Sequence, residues 1–418
     1  MDFFTISEAL ETLKRQTEED IRPALERVDR TTEYNQNKVL SAFISCGVSE
    51  RHFAATTGYG YGDEGRDKLD EVFARVTGAQ DALIRHNFVS GTHALTVALF
   101  GILRPGDTLL SVTGRPYDTL LGVIGLTGNG SGSLKEFGVG YEELSLKPDG
   151  TPDFAAMEQR IRPDTRVVYI QRSRGYTLRP SLFVEDIERI AQIAKRVSPD
   201  CVVMVDNCYG EFVEATEPTE HGADIIVGSL IKNPGGGIAP TGGYIAGRRD
   251  LVERCAYRLT TPGTGREIGA TLGNNRALFM GLFHAPHVTG EALKTAIFAA
   301  ALFERMGYPV TPRHTDPRAD IIQSVTLGSE ERLICFCQGM QKGAPIDSFV
   351  VPEPWDMPGY DNKVIMAAGA FTGGASIELS ADAPLREPYA AWLQGGLNYH
   401  SGKTGVLLAA QSLLEEKP

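Results

Sequence analysis

Short apolar runs alternate with amphipathic segments along the middle of the chain. Between residues 65 and 250, VEDIERIAQIAKRV places apolar residues at helical spacing, whereas CVVMVD and ADIIVGS are nearly continuous apolar runs. Runs of this length that are rich in β-branched residues are typical of buried strands. Strands that alternate with helices favour βαβ units on a mainly parallel sheet. The pattern therefore predicts an α/β fold for this part of the chain.

The pattern differs at the two ends of the chain. The first sixty residues are predicted to be helical, because Ser7 is a suitable N-cap and the segment after it is amphipathic. Beyond about residue 280, RLICFCQGM and ASIELS are predicted as strands between loops rich in Pro and Gly. We expect an N-terminal helical arm (1–60), a large α/β domain (61–280) and a smaller C-terminal α+β domain (281–418).

Composition is ordinary for a soluble globular protein and narrows the choice of partners. The chain has 418 residues and a formal net charge of -12, from 41 basic and 53 acidic residues. This charge argues against nucleic acid or an anionic membrane as the main partner. The N-terminus has acidic residues early and no apolar core of the secretory kind. Because the six cysteines contain no CxxC pair, we expect a cytoplasmic protein with reduced thiols.

Side chains suited to cofactor chemistry follow two predicted strands. Asp206 is the last residue of CVVMVD, and Lys232 lies three residues after Ser229, where the next apolar run ends. Since ligands of such sheets bind at the carboxyl ends of the strands, these side chains are expected to lie together. A lysine there can form a Schiff base, and an aspartate can pair with a protonated ring nitrogen. Taken jointly, they are the arrangement expected around pyridoxal phosphate.

A predicted helix start supplies a candidate phosphate site at the same edge. In SGTHALTVAL, the backbone amides of Gly91 and Thr92 would be donors in the first turn, where the macrodipole also favours an anion. An ordinary Ser or Thr cap is the simpler explanation when this segment is taken alone. The segment matches neither the dinucleotide fingerprint GxGxxG nor the phosphate loop of nucleotide-binding proteins.

With these residues in place, the sequence resembles the pyridoxal-phosphate enzymes of fold type I. The resemblance is carried by VVMVDNCYGEF, GADIIVGSLIKNPGGG and TGGYIAG. It is closest to the cystathionine-lyase and methionine gamma-lyase group and, within that group, to the aluminium-resistance branch. It covers residues 50–270 well and the C-terminal part loosely. These motifs are specific to the fold type and much less specific to the reaction.

The resemblance implies roles for individual residues. Lys232 would be the lysine that binds pyridoxal phosphate and moves protons at the substrate carbons. Asp206 would pair with the pyridine nitrogen. Tyr117 would stack on the ring and assist acid–base transfer, although a turn tyrosine after Pro116 is the alternative. The implied phosphate contacts come from Ser229, Gly91, Thr92 and Tyr59. No metal site is predicted.

Three positions depart from the family pattern. Tyr61 stands where the family has the arginine of a Tyr-x-Arg pair. Ile231 stands where the family often has a serine or threonine. Glu378 occupies the place of the arginine that binds the substrate carboxylate. Arg386, eight residues later, is our candidate for that contact, because a guanidinium binds a carboxylate through two bonds. The loop QRSRGYTLRPS contains three further candidate arginines, Arg172, Arg174 and Arg179.

The sequence therefore predicts a pyridoxal-phosphate-dependent lyase that breaks a carbon–sulfur bond by β- or γ-elimination, with an amino acid such as cystathionine or methionine as substrate. An aminotransferase, an aldolase or a degenerate cofactor-binding protein remain open, the last because of Tyr61 and Glu378. By the resemblance, Tyr59 crosses to a neighbouring subunit. The apolar face of the helical arm also needs a partner. We therefore expect a homodimer or homotetramer with shared active sites.

Overall fold

The computed structural model describes residues 3–357 and 362–415. The helices in chain order are α1 Glu8–Ser45, α2 Glu64–Val76, α3 Gly91–Ile102, α4 Asp118–Ile124, α5 Phe154–Arg160, α6 Val184–Val197, α7 Arg249–Leu259, α8 Asn275–Arg305, α9 Glu330–Gln341 and α10 Tyr399–Glu415. The strands are β1 Asp81–Arg85, β2 Thr108–Ser111, β3 Gly140–Glu143, β4 Thr165–Gln171, β5 Val202–Asp206, β6 Ile225–Ser229, β7 Gly243–Gly247, β8 Val310–Thr311, β9 Gln323–Thr326, β10 Val364–Ala367, β11 Ser380–Pro384 and β12 Ala390–Gln394.

The larger sheet has the strand order β1-β7-β6-β5-β4-β2-β3. Strand β7 runs antiparallel to both of its neighbours, and the other pairs in this sheet are parallel. Every residue of β5 and β6 is buried, which explains why both strands are continuous apolar runs in the sequence. The predicted α/β fold with a mainly parallel sheet is confirmed. The carboxyl ends of β4, β5 and β6 share one edge of this sheet.

The smaller sheet is antiparallel, with the order β10-β11-β12-β9-β8. In β11, Ala381 and Ala383 belong to the hydrophobic core of the C-terminal part. Since side chains alternate between the faces of a strand, Ser380 and Asp382 point to the opposite face. Gln394 of β12 is paired with Ser380 and lies on that same face. The sheet therefore presents a polar face away from its own core.

The prediction that RLICFCQGM forms a strand is wrong, because this segment lies in α9. The side chain of Ser329 accepts a hydrogen bond from the amide of Arg332 and caps the helix. Acidic residues occupy the first turn, where they favour a helix start. The buried residues of this segment recur at helical spacing; they are Leu333, Phe336, Cys337 and Met340.

The prediction that ASIELS forms a strand is also wrong for most of its length, since β11 begins at Ser380, the last residue of the segment. The carboxylate of Glu378 explains the difference. It accepts hydrogen bonds from the backbone amides of Phe371 and Thr372, both at 2.8 Å. These bonds fold residues 371–379 into turns instead of a ladder.

Helix α1 contributes to both hydrophobic cores of the chain. Leu10, Ile21 and Val28 pack into the core of the C-terminal part, mainly against α8. Val39 and Ala42 pack into the core of the larger sheet. Most of the apolar face of this helix is thus buried against its own chain, while Tyr34, Leu40 and Ile44 are exposed. Cover of these residues by a second chain stays a prediction.

Helix α8 continues across the proposed domain boundary at residue 280. It packs against α1 and α10 and supplies much of the core of the C-terminal part. The division into domains at that residue stays a prediction. None of the helices in the described ranges is both long enough and apolar enough to span a membrane.

Candidate active site

Two adjoining cavities lie at the carboxyl edge of the larger sheet, with volumes of about 70 and 250 Å³. They share four lining residues, Tyr117, Tyr176, Tyr209 and Lys232. The smaller cavity extends toward the strand ends and reaches Asp206. The larger one extends toward β11 of the smaller sheet. Lys232 therefore stands between the two cavities.

Lys232 is partly buried, and its charge is held by the groups around it. Its Nζ atom lies 3.9 Å from the centroid of the Tyr209 ring. Burial lowers the pKa of Lys232, but Cys208, Tyr209, Asp206 and Glu211 raise it, and the net direction is upward. The amine is thus a cation when no cofactor is bound to it.

The glycines after Lys232 let this loop pack against α8. A Cβ atom on Gly235 would lie 1.7 Å from the carbonyl oxygen of Leu230. On Gly236, which has a φ of +54°, a Cβ would lie 2.5 Å from the carbonyl oxygen of Gly281 in α8. Only glycine allows backbones to approach so closely. The lysine is consequently carried by a loop that is wedged against a helix.

Asp206 ends β5 beside β6, and its carboxylate faces the smaller cavity. Its Oδ1 atom accepts a hydrogen bond of 3.1 Å from the amide of Cys208. The hydroxyl of Tyr169 donates to its Oδ2 atom at 3.4 Å. A carboxylate accepts about four hydrogen bonds, so these two contacts orient Asp206 and leave it able to accept one more.

Three of the four predicted phosphate residues, Ser229, Gly91 and Thr92, lie at or against the start of α3. A Cβ atom on Gly91 would lie 3.2 Å from the Cβ atom of Ser229 and 3.7 Å from the Sγ atom of Cys208. The helix start therefore lies directly against the end of β6. The hydroxyl of Thr92 is 2.7 Å from that of Thr119. The first-turn amides have no partner within the helix, so this corner can receive an anion.

Tyr117 precedes α4 and lines both cavities. Its amide donates a 2.7 Å hydrogen bond to the side chain of Gln171, the last residue of β4. Its ring meets that of Tyr176 edge to face, with 5.8 Å between the centroids. The ring is therefore fixed in the wall above the smaller cavity, and its roles in stacking and proton transfer stay predictions.

Tyr59 lies outside both cavities and is 73% exposed. Its ring is next to that of Tyr61, with 5.7 Å between the centroids. Its carbonyl oxygen accepts a hydrogen bond from the amide of Gly269, which ties the loop to the segment before α8. The loop is held while the ring points outward. Its contact with phosphate stays a prediction that requires a second chain.

The arginines considered for the substrate carboxylate do not line either cavity. Arg386 lies on an exposed turn and donates to the carbonyl oxygen of Tyr176 at 3.3 Å. Arg172 is fully buried, with Asn207 and Glu214 as partners. In the described part of the chain, Lys232 is the only basic residue that lines the two cavities. A direct role for Arg386 in binding substrate stays a prediction.

The other two arginines of the loop QRSRGYTLRPS donate hydrogen bonds to backbone carbonyl oxygens. Arg174 donates to the carbonyl oxygen of Thr311, and Arg179 donates to that of Gln171. Burial lowers the pKa of Arg179 to about 10. These side chains fix the loop from behind the cavity wall.

Sequence reasoning missed the residues that the smaller sheet contributes to the larger cavity. Asp382 is buried, accepts a 2.8 Å hydrogen bond from the hydroxyl of Tyr176, and lines the larger cavity. Gln394 donates to the same carboxylate oxygen at 2.6 Å. The signal was the alternation of polar and small apolar residues in SADAP, which indicates a strand with one polar face.

The residues present fit pyridoxal phosphate. Lys232 and Asp206 line one cavity, as an attachment point and a partner for a ring nitrogen require. The close approach of Gly91 to Ser229 leaves a helix start beside this cavity for a phosphate group. The sheet that carries this lysine and aspartate has fold type I, the fold of one large class of pyridoxal-phosphate enzymes.

The chain belongs to the methionine gamma-lyase family, whose family model matches residues 10–414. The solved structure of a carbon-sulfur lyase involved in aluminum resistance from Clostridium novyi NT is similar, with 52% identity and a TM-score of 0.94 over 97% of this chain and 96% of that one. The uncharacterized protein YnbB of Bacillus subtilis is 46% identical over 100% of this chain and 99% of its own length. L-methionine gamma-lyase of Pseudomonas putida is 31% identical over 40% of this chain and 37% of its own.

Proposed function

We propose that this protein is a pyridoxal-phosphate-dependent lyase that breaks the carbon–sulfur bond of an amino acid by β- or γ-elimination. The observation that carries the proposal is that Lys232 and Asp206 line one cavity, which opens beside Lys232 into a larger one. Membership of the methionine gamma-lyase family supports it. So does the similarity to the Clostridium novyi carbon-sulfur lyase.

Lys232 and Asp206 would hold the cofactor and act on the substrate. Bound pyridoxal phosphate supplies an electron-withdrawing ring, which makes a hydrogen on the substrate α-carbon acidic. Asp206 would accept a hydrogen bond from the ring nitrogen and stabilise its positive charge. Lys232 stands between the cavities, where its amine can remove the proton from the α-carbon and return it later.

Departure of the sulfur requires a proton donor on the larger-cavity side. Tyr117 lines both cavities, and its hydroxyl is our candidate for giving a proton to the leaving thiolate, with Lys232 as the alternative. The aromatic rings of Tyr176 and Trp392 both line the smaller cavity, with 5.6 Å between their centroids. Such walls keep water from the reacting carbons.

Measuring pyruvate, 2-oxobutyrate and free thiol or sulfide in the same reaction tests the proposal. Purified protein supplied with pyridoxal phosphate is incubated separately with L-cystathionine, L-methionine and L-cysteine. β-Elimination gives pyruvate and ammonia, with homocysteine from cystathionine or sulfide from cysteine. γ-Elimination gives 2-oxobutyrate and ammonia, with cysteine from cystathionine or methanethiol from methionine. Lys232→Ala protein is the control and is expected to form none of them. A keto acid without free thiol would instead indicate transamination, and cofactor binding without any product would indicate a degenerate protein.

A further inference from the structure

Three buried oxygen atoms on the polar face of the smaller sheet have no hydrogen-bond partner in the described part of the chain. They are Oδ1 of Asp382, Oε1 of Gln394 and Oγ of Ser380. Each side chain is at least nine-tenths buried, with exposures of 6%, 2% and 6%. A buried polar atom without a partner costs about 1–3 kcal/mol. Such a cluster therefore needs an explanation.

The three atoms belong to one local arrangement. Ser380 of β11 is paired with Gln394 of β12, and Asp382 follows two residues later on the same face. The Nε2 atom of Gln394 and the hydroxyl of Tyr176 both donate to Oδ2 of Asp382, at 2.6 and 2.8 Å. Oδ2 of the carboxylate thus accepts two hydrogen bonds, and Oδ1 accepts none within the described part of the chain. The carboxylate is fixed in place and still needs a donor.

This arrangement faces the site described above. Asp382 and Ser380 line the larger cavity, and Gln394 lines the smaller one, both of which contain Lys232. An amide oxygen and a carboxylate oxygen are acceptors only, and a hydroxyl can also accept. These residues therefore give the walls of the two cavities buried acceptor atoms and one carboxylate.

The cofactor and the common part of an amino-acid substrate do not supply the missing donor. The phosphate and phenolic oxygen atoms of pyridoxal phosphate and the α-carboxylate of a substrate are themselves acceptors. The ring nitrogen is assigned to Asp206, and the α-amino group is bonded to the cofactor. Lys232, the one basic side chain among the described residues that line the cavities, would be attached to the cofactor in the resting holoenzyme. A donor is then available from the part of the substrate beyond the reacting carbons.

We propose that Asp382, Gln394 and Ser380 form a subsite for a protonated amino group on the sulfur-bearing side chain of the substrate. This inference rests on the proposed lyase function and narrows its substrate class. An ammonium group has three donors, one for each of the three oxygen atoms. The favoured substrates are thioether amino acids with a second amino group, and methionine, which lacks one, is disfavoured.

Binding of two ligands without sulfur tests the subsite apart from catalysis. L-Lysine and L-2-aminoheptanoate carry an ammonium and a methyl group at the same position, and neither can undergo elimination. Their dissociation constants are measured on the holoenzyme by titration calorimetry. We expect L-lysine to bind at least tenfold more tightly. Equal affinities would overturn the proposal and mean that water satisfies the three oxygen atoms.

Asp382→Asn and a matched control locate the effect. The variant is expected to weaken L-lysine binding at least tenfold and to change L-2-aminoheptanoate binding less than twofold, whereas Asp200→Asn on the surface leaves both unchanged. An equal loss for both ligands would show a merely structural role and refute the subsite.

Ser380→Ala keeps the carboxylate, so it provides a second test if the Asp382→Asn variant is unstable. Its expected effect is a loss of about tenfold for L-lysine alone, the order of one hydrogen bond to a charged group; no selective loss there counts against the proposal.

Two sulfur-containing substrates distinguish a failure of the subsite from a failure of the proposed lyase function. S-(2-Aminoethyl)-L-cysteine and S-propyl-L-cysteine differ in the same way as the two ligands and can both release pyruvate. If neither releases pyruvate while L-lysine still binds selectively, the lyase proposal fails for this class and the subsite stands. If both react at equal rates and bind equally, the subsite fails and the lyase proposal stands.

Discussion

The Nζ atom of Lys232 lies 3.9 Å from the centroid of the Tyr209 ring. Tyr209 has a φ of +72°, a conformation that non-glycine residues rarely adopt, and its hydroxyl is 3.3 Å from Oγ of Ser376. The backbone conformation thus aims the ring at the amine, and Ser376 holds its far end. A desolvated cation–π contact contributes about 2 kcal/mol. It keeps Lys232 directed between the two cavities before a cofactor is bound.

Cofactor attachment is predicted at Lys232. Treatment of the protein with pyridoxal phosphate and borohydride should leave a stable pyridoxyl group on this residue, identified by peptide mapping. Lys232→Ala should retain no reduced adduct, although the phosphate group can still bind through backbone amides. Lys147→Ala, an exposed lysine outside the site, should label as the unmodified chain does. An adduct on a different lysine would refute the assignment.

Asp206→Asn is predicted to slow turnover at least tenfold without unfolding the protein. A hydrogen bond to a charged group contributes about 1.5–3 kcal/mol, and each 1.4 kcal/mol of barrier corresponds to about a factor of ten in rate. Initial rates of thiol release are the measurement, with thermal melting as the check on folding. Asp200→Asn serves as the matched surface control. A normal rate in Asp206→Asn would mean that this carboxylate does not support the ring.

Glu211→Gln is predicted to stabilise the protein at neutral and alkaline pH. Burial raises the pKa of Glu211 to about 8, although Tyr244 donates a 2.7 Å hydrogen bond to its Oε1 atom. A carboxyl whose pKa is raised on folding supports the fold fully below its unfolded pKa of about 4.3, and this support is lost as the pH rises through 8. The melting temperature of Glu211→Gln should therefore exceed that of the unmodified chain increasingly from pH 4 to about 8.

The control for this comparison is Glu26→Gln, which changes an exposed carboxylate on α1. It should track the unmodified chain throughout the titration. A gap between Glu211→Gln and the unmodified chain that narrows with rising pH would contradict the assigned direction of the pKa of Glu211.

Affinity for L-lysine is predicted to fall by about tenfold from pH 7 to pH 5, because the Asp382 carboxylate becomes protonated. Burial raises its pKa to about 6, against the hydrogen bonds from Tyr176 and Gln394 and the charge of Lys232. The groups that face Asp382 from the surrounding elements are Lys232, Tyr176, Tyr209, Gln394 and Cys337. The pKa values of Tyr209 and Cys337 are raised, so neither of the two titrates in this range. L-2-Aminoheptanoate affinity should not show this fall, and in Asp382→Asn protein the two profiles should run parallel.

Shared active sites are predicted from the exposed ring of Tyr59. Chains carrying Lys232→Ala are mixed with chains carrying Tyr59→Ala under conditions that exchange subunits. In a hybrid dimer with shared sites, one site has both substitutions and the other has neither, so activity should partly return. Tyr34→Ala, an exposed tyrosine on α1, replaces Tyr59→Ala as the control. Full activity of a monomer in light scattering would rule out a shared site.

The positions that sequence reasoning located are those fixed by strand ends. Asp206 and Lys232 could be found because buried parallel strands are recognisable apolar runs and their carboxyl ends must share one edge. Gly91 was found for a similar local reason, as a helix start. Short-range signals of this kind do not depend on how distant parts of the chain meet.

The positions that were missed depend on distant contacts or on competing local signals. The short apolar run of the α9 segment suits either a strand or a helix, and only the cap at Ser329 favours the helix. The role of Glu378 depends on the amides of Phe371 and Thr372, which only the folded turn brings to it. Asp382 becomes part of the site because the smaller sheet packs against the strand edge, and no local pattern predicts that meeting.

The placement of α1 has a consequence for synthesis of the chain. Its first half is synthesised long before the elements that cover Leu10 and Ile21, which include α8 and α10. The amide of Ser7 is bonded to the side chain of Gln411, and Lys403 to Glu18. Contacts of such long sequence separation form late, and apolar surface exposed meanwhile favours aggregation. A nascent chain of this protein must therefore keep this half of α1 uncovered until α8 and α10 have been synthesised.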